Sequence, residues 1–208
     1  ASIRIDFGRT VFRPQKGYLE HLQIHRGTLT IVAPNIKVEL MCLSDQDVLL
    51  IRIEDGHATP LPVTVEVERP RLIDPSRFLD RKHEAGFQRL PGTLLLRQSF
   101  SEKDYFCTAA VGVAAVGDAA VGQGEHDRSD YGQQERIVVA PVRSDADRSD
   151  AGRTTHTIAV ASAATFDRSV DVCEVAQAGL RLVTSDNLGQ LREQHVDWWK
   201  RFWERSYV

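Results

Sequence analysis

Cysteine is scarce: Cys42, Cys107 and Cys173 are odd in number and far apart in a chain of 208 residues. That pattern gives neither a disulfide framework nor a CxxC metal knuckle, and leaves the three as small buried hydrophobes. Long apolar runs are missing too. None approaches the roughly 20 residues of a membrane span, so no membrane partner is expected. A basic excess is also absent: Lys and Arg number 26 against 29 Asp and Glu, a net charge of −3. A ligand for nucleic-acid phosphates needs the opposite balance on at least one segment, which removes nucleic acid from the partners.

The chemical motifs are equally thin. There is no GxSxG elbow, no GxxxxGK[ST] loop and no HExxH. Acidic residues are plentiful, among them Asp45, Asp47, Glu54, Asp55, Glu66, Glu68 and Asp104, but they fall at strand edges and turns, where a solvated face is the default. No spacing nominates a general acid and base. His21 and His25 mimic an HxxxH metal pair, yet on a strand four residues span roughly 13 Å, too far for one ion. No catalytic residue, cofactor site or metal ligand is therefore assigned.

What the chain does have is alternation. Ile3 and Ile5 alternate with Arg4 and Asp6, and residues 18–25 and 28–33 flank Arg26-Gly27 in the manner of a hairpin with a tight turn. Ile36, Val38, Leu40 and Cys42 share one face of the next segment; residues 48–53 follow, and Val63, Val65 and Val67 point inward from another. The pattern lapses over 71–91 and resumes over 94–100, 105–116, 136–142 and 155–164. Antiparallel strands with one buried face each predict a mainly β fold, an antiparallel two-sheet β-sandwich of the supersandwich kind. Residues 1–166 make the sandwich domain. Two Gly, Asp and Ser-rich stretches, near 117–134 and 143–153, interrupt it as polar insertions, each containing a copy of Asp-Arg-Ser-Asp, at Asp127 and Asp147.

After Asp167 the period becomes helical. Val172, Val175, Ala176, Gly179, Leu180 and Val183 recur at threes and fours, and Thr184-Ser185-Asp186 supplies a stop and a fresh N-cap. The last helix holds all three tryptophans of the chain. Leu191, His195, Trp198, Trp199, Phe202 and Trp203 fall, with Leu188, in an arc of roughly 140°. Burial of the four aromatics would be worth up to about 20 kcal/mol, so something large is expected to cover them. These six residues are read as a domain interface, with His195 a hydrogen-bonded junction histidine. The helical pattern is still running at Val208, which reads as an interrupted junction. Alone, such a stripe is expected either to self-associate or to bend back onto its own sheets. With every tryptophan in the helix, the strands lack the aromatic platform of a carbohydrate-binding module; Tyr18, Tyr105 and Tyr131 are weak substitutes.

The stretch Leu191-Arg192-Glu193-Gln194-His195-Val196-Asp197-Trp198-Trp199-Lys200-Arg201-Phe202-Trp203-Glu204-Arg205-Ser206, together with the hairpin of residues 19–31 and the strands of 47–53 and 158–166, resembles the N-terminal region of bacterial glycoside hydrolases of family 95, the fucosidase-like enzymes. The resemblance implies a β-sandwich, then linker helices over 167–208, then a catalytic (α/α)6 barrel beginning after Val208. It places the catalytic acid and base in that barrel, acting by inversion at a glycosidic bond, and makes this chain a non-catalytic domain that packs on it. It further implies an extracellular or periplasmic parent, the downstream domain as partner, contact with carbohydrate and no cofactor. The insertions near 117–134 and 143–153 have no counterpart in it. A free-standing carbohydrate-binding or structural interaction sandwich stays open as the alternative.

Overall fold

The computed structural model describes residues 1–13, 17–70, 81–102, 105–116, 127–129, 132–139 and 153–206. Among them lie two antiparallel sheets. The smaller has the order β1 (Ser2–Asp6), β6 (Val63–Pro70), β11 (Gly132–Val139), β10 (Asp127–Ser129). The larger runs β2 (Leu19–Gln23), β3 (Thr28–Ala33), β4 (Ile36–Cys42), β5 (Val48–Asp55), β12 (Thr154–Thr165), β9 (Tyr105–Val116), β8 (Thr93–Glu102), β7 (Arg81–Leu90). Two helices follow, α1 (Val172–Arg181) and α2 (Leu188–Ser206). The expected mainly β sandwich with C-terminal helices is the observed fold.

The inner faces meet as the alternation requires. Val63, Val65 and Val67 of the small sheet are almost wholly buried against Val38, Ile51, Ile53, Leu94, Leu96 and Ile158 of the large one. Register carries the pattern: Ile5 opposes Val65 on β6, which opposes Ile137 of β11. A one-residue slip would turn every one of these side chains to the other face.

The central strands of the large sheet, however, are buried on both faces. Its outer side packs Met41, Val48, Leu50, Leu95, Ala110, Ala159 and Ala161 under Val172, Ala176 and Leu180 of α1. This is why β9 and β12 read as near-continuous apolar runs, Ala109-Ala110-Val111-Gly112-Val113-Ala114-Ala115 and Ile158-Ala159-Val160-Ala161. Small residues let the helix come close. A Cβ on Gly112 would meet Leu180 Cδ1 at 2.8 Å, and one on Gly179 would lie 3.3 Å from Ala161. Asp171 starts α1 by accepting the amides of Cys173 and Glu174 at 2.9 and 3.4 Å.

Several expectations change. Where the alternation lapses, Arg81–Leu90 is a ten-residue edge strand paired along its length with β8. Its charged composition suits an edge, which natural sheets protect with charge; Ala85 and Phe87 lean on the inner core and Leu90 on the outer one. The first Asp-Arg-Ser-Asp copy is not wholly loop, because Asp127–Ser129 pairs with residues 132–134 in a hairpin; the second copy and the rest of 143–152 lie outside the described residues. Strand β2 ends at Gln23, and Ile24–Arg26 forms a single 3-10 turn, so His25 is not on a strand. Val175 of α1 faces solvent at 51 % exposure, one position off the buried stripe. Nor are the cysteines buried: Cys42 is exposed, and Cys107 and Cys173 are half-buried.

Candidate interface site

The turn that separates β2 from β3 presents its carbonyls to α2. Gly27 closes the 3-10 turn with φ of 60°, a left-handed conformation that costs glycine little. Space demands glycine as well, since a Cβ there would sit 2.0 Å from the Trp199 indole nitrogen. Helix α2 reaches this turn from the opposite side of the outer face. Leu188 and Leu191 lean against the outer core cluster, next to α1. Asn187 caps the approach, accepting the Thr184 amide at 3.0 Å and donating to the Leu182 carbonyl at 2.7 Å.

Beyond that point the helix is held by polar contacts. Arg192 Nη2 lies 2.8 and 2.9 Å from the two carboxylate oxygens of Glu39 on β4, which is 6 % exposed. His195 is buried, at 2 % exposure, and its Nε2 sits 3.0 Å from the Gly27 carbonyl oxygen. A carbonyl only accepts, so Nε2 carries the proton. The Trp203 indole donates to the Ile24 carbonyl at 2.7 Å, with the His25 ring edge-on at 5.5 Å. Trp198 and Phe202 stack 7° from parallel with centroids 5.4 Å apart.

The six predicted interface residues thus lie together, but only His195 is core. Leu191, Trp198, Trp199 and Trp203 are half-buried and Phe202 is 40 % exposed. Helix α2 lies back on the turn between β2 and β3 of the chain's own large sheet. Sequence reasoning identified His195 as a bonded histidine and missed its acceptor. The only local signal was Gly27, flanked by polar residues at a hairpin turn. It also missed the Arg192–Glu39 pair, which no spacing rule could join across 153 positions.

Two further arrangements could carry chemistry. Asp55, 1 % exposed, accepts the His57 amide at 2.8 Å, the His57 Nδ1 at 2.6 Å and the Leu61 amide at 2.7 Å, and Arg9 Nη2 approaches His57 Nε2 at 2.6 Å. Burial pushes the Asp55 carboxyl up, but the donors from Leu61 and His57 together outweigh it and hold the group below its ordinary range. Arg9 can only donate, so Nε2 accepts from it while Nδ1 faces Asp55, and both ring nitrogens are engaged. No nitrogen is left to take a substrate proton. The unit is a clamp between the chain after β1 and the loop after β5.

The other is a groove of about 430 Å³ between the first turn of α2 and the large sheet, with Glu39, Arg52, Thr157, Leu188 and Arg192 on its walls. Its charges are already matched, Arg192 by Glu39 and Arg52 by Glu54 at 3.1 Å.

The strands also carry more aromatic surface than the sequence promised. Tyr105 on β9 stands edge to face between Phe100 and Phe166, with centroids 5.9 Å from each. Tyr18 packs edge-on against Phe12 at 6.3 Å, and Tyr131 lies outside the described residues.

No family model and no curated protein matches this sequence. Among solved structures, one titled "Putative kojibiose phosphorylase from human microbiome" superposes with a TM-score of 0.60 at 10 % identity, over 97 % of this chain and 27 % of its own. This chain therefore spans about a quarter of that protein's length. At such low identity the likeness shows the fold, a β-sandwich with its appended helices.

Proposed function

We propose that this chain is the non-catalytic sandwich domain of a multidomain carbohydrate-active enzyme, packing through α2 on a downstream catalytic barrel and shaping it. One observation carries the reading. Helix α2 is anchored on one side by His195, Trp203 and Arg192, while Phe202 stays 40 % exposed beside the stacked Trp198. An aromatic ridge left open in this way is the mark of a surface that another unit covers.

The neighbour that shares the fold bears the name of a phosphorylase, and the linker resembles that of family 95 hydrolases; both names belong to enzymes acting on glycosidic bonds. The fucosidase-like, inverting hydrolase is the finer version of the proposal. A phosphorylase parent is the version that the structural neighbour favours. In either, the acid and base lie outside residues 1–208, and the parent works outside the cytoplasm if it follows the family 95 resemblance.

The test is turnover. The 208-residue chain is expected to cleave neither aryl glycosides nor disaccharides, with or without inorganic phosphate. Hydrolysis or phosphorolysis that disappears on replacing one carboxylate, with Glu39 and Asp55 the first to try, would overturn the proposal.

A further inference from the structure

Phe166 and Tyr105 form an exposed pair of touching rings on the described surface. Phe166, the residue after β12, is 72 % exposed, and Tyr105, the first residue of β9, is 51 % exposed. Large rings are ordinarily hidden, and a single exposed one needs no explanation, but these two are neighbours. Their planes meet at 61° with centroids 5.9 Å apart, so they form a corner instead of a flat patch. Phe100, half-buried, supports Tyr105 from the side at 64°.

The corner opens on a shallow hollow of about 680 Å³ completed by Phe106, Asp167 and Arg168. The Arg168 guanidinium lies 4.3 Å over the Phe106 ring, which fixes where its donors stand. Asp167 is fixed as well. Its amide donates to Thr165 Oγ1 at 3.0 Å, and its Oδ1 accepts both the amide and the hydroxyl of Ser169, at 2.8 and 2.7 Å. The Ser169 donors also keep the carboxyl below its ordinary range, hence ionised. The aromatic corner and its polar rim are thus set before any ligand arrives, which lowers the cost of binding.

We propose that Tyr105 and Phe166 form a stacking corner for a pyranose ring of a polysaccharide, with Asp167 and Arg168 hydrogen-bonding its hydroxyls. The chemistry selects this ligand. A pyranose has an apolar C–H face that suits an aromatic face and an equatorial belt of hydroxyls that both donate and accept. A carboxylate accepts and a guanidinium donates, so the rim serves both needs. A peptide helix or an acyl chain would require a continuous apolar groove, whereas here charged groups interrupt the rings within two residues. The inference does not rest on the proposed parent enzyme, because a binding surface at this end of β9 and β12 needs no catalytic domain.

Native gel electrophoresis of the 208-residue chain through soluble starch, mixed-linkage β-glucan and galactomannan tests it. Retardation in at least one polysaccharide is expected. Phe166→Ala and Tyr105→Ala should each weaken it about tenfold, the scale of one lost aromatic contact. Arg168→Gln should weaken it less, and Phe202→Ala on α2 should leave it unchanged. Phe166→Leu, which keeps apolar bulk without a ring, should fail like the alanine variant and decides the matter if Phe166→Ala does not fold. No retardation in any of the three gels overturns the proposal. So does retardation that survives the loss of both rings, or that Phe202→Ala removes equally, since general stickiness would then explain it. Turnover assays are blind to these outcomes, so failure here and failure of the enzyme-domain proposal are separate results.

Discussion

Helices α1 and α2 follow one another on the same face of the same sheet, and they are held by different physics. Of its ten residues α1 buries Val172, Ala176, Gln177 and Leu180, with Leu180 seated over Gly112, where a Cβ would push its methyl aside. Of its nineteen residues α2 buries His195. Beyond Leu188 and Leu191, which lean on the outer cluster, its attachment is two bonds to the carbonyls of Ile24 and Gly27 and one ion pair, with Trp198, Trp199 and Trp203 half-buried and Phe202 40 % exposed. Apolar burial scales with area, whereas each such polar contact nets only about 1 kcal/mol. The first helix belongs to the fold, and the second is a strap laid on it.

The sharpest way to break this contrast is at the α1 contact. Leu180→Ala should destabilise the whole chain by about 2–5 kcal/mol, read as a lower midpoint in urea with unchanged slope. A loss under 1 kcal/mol would mean that α1 is a strap too.

Gly27→Ala comes next. It combines a left-handed φ with a clash against Trp199, together about 1–3 kcal/mol. The loss should be local: tryptophan emission shifts to the red as α2 lifts, while far-ultraviolet circular dichroism keeps its strand signal. Global unfolding would place the turn and α2 in the core.

Asp55 gives the comparison a pH axis inside the sandwich. Its folded pKa is depressed, so its contribution is fully present above the unfolded value of about 3.9 and is lost as pH falls through the folded one. Stability should therefore drop in acid below about pH 4, and Asp55→Asn should flatten that drop. An unchanged acid limb would show that the clamp with His57 and Leu61 is not formed.

The smallest effect is expected on the ridge. Phe202→Ser should change the stability of the isolated chain by no more than about 0.5 kcal/mol, while lowering any self-association that sedimentation velocity detects. A large loss of stability would make the exposed ring part of the core.

The sandwich was legible because strict alternation leaves a trace in each strand: Val63, Val65 and Val67 could face only one way. Two kinds of element were not. Strand β7 pairs by backbone at an edge, and its Arg, Lys and Glu give no apolar period to detect. The outer layer was missed for the opposite reason, since Ala109 to Ala115 is apolar on both faces and reads equally as any buried strand. In α2 the stripe was visible and its burial was not. Periodicity reports which residues share a face, while cover depends on what lies opposite, here the outer cluster for Leu188 and Leu191 and a three-residue turn for the aromatics. Phe166 was invisible as part of a platform, because its partner Tyr105 lies 61 positions away on a neighbouring strand.

Amide hydrogen exchange on the isolated chain separates strap from fold most directly. If α2 is held as described, amides of α1 should exchange only with global unfolding, and those of residues 196–206 should open several kcal/mol sooner. Equal protection of both helices would contradict the interpretation of α2 as a strap laid on the sheet.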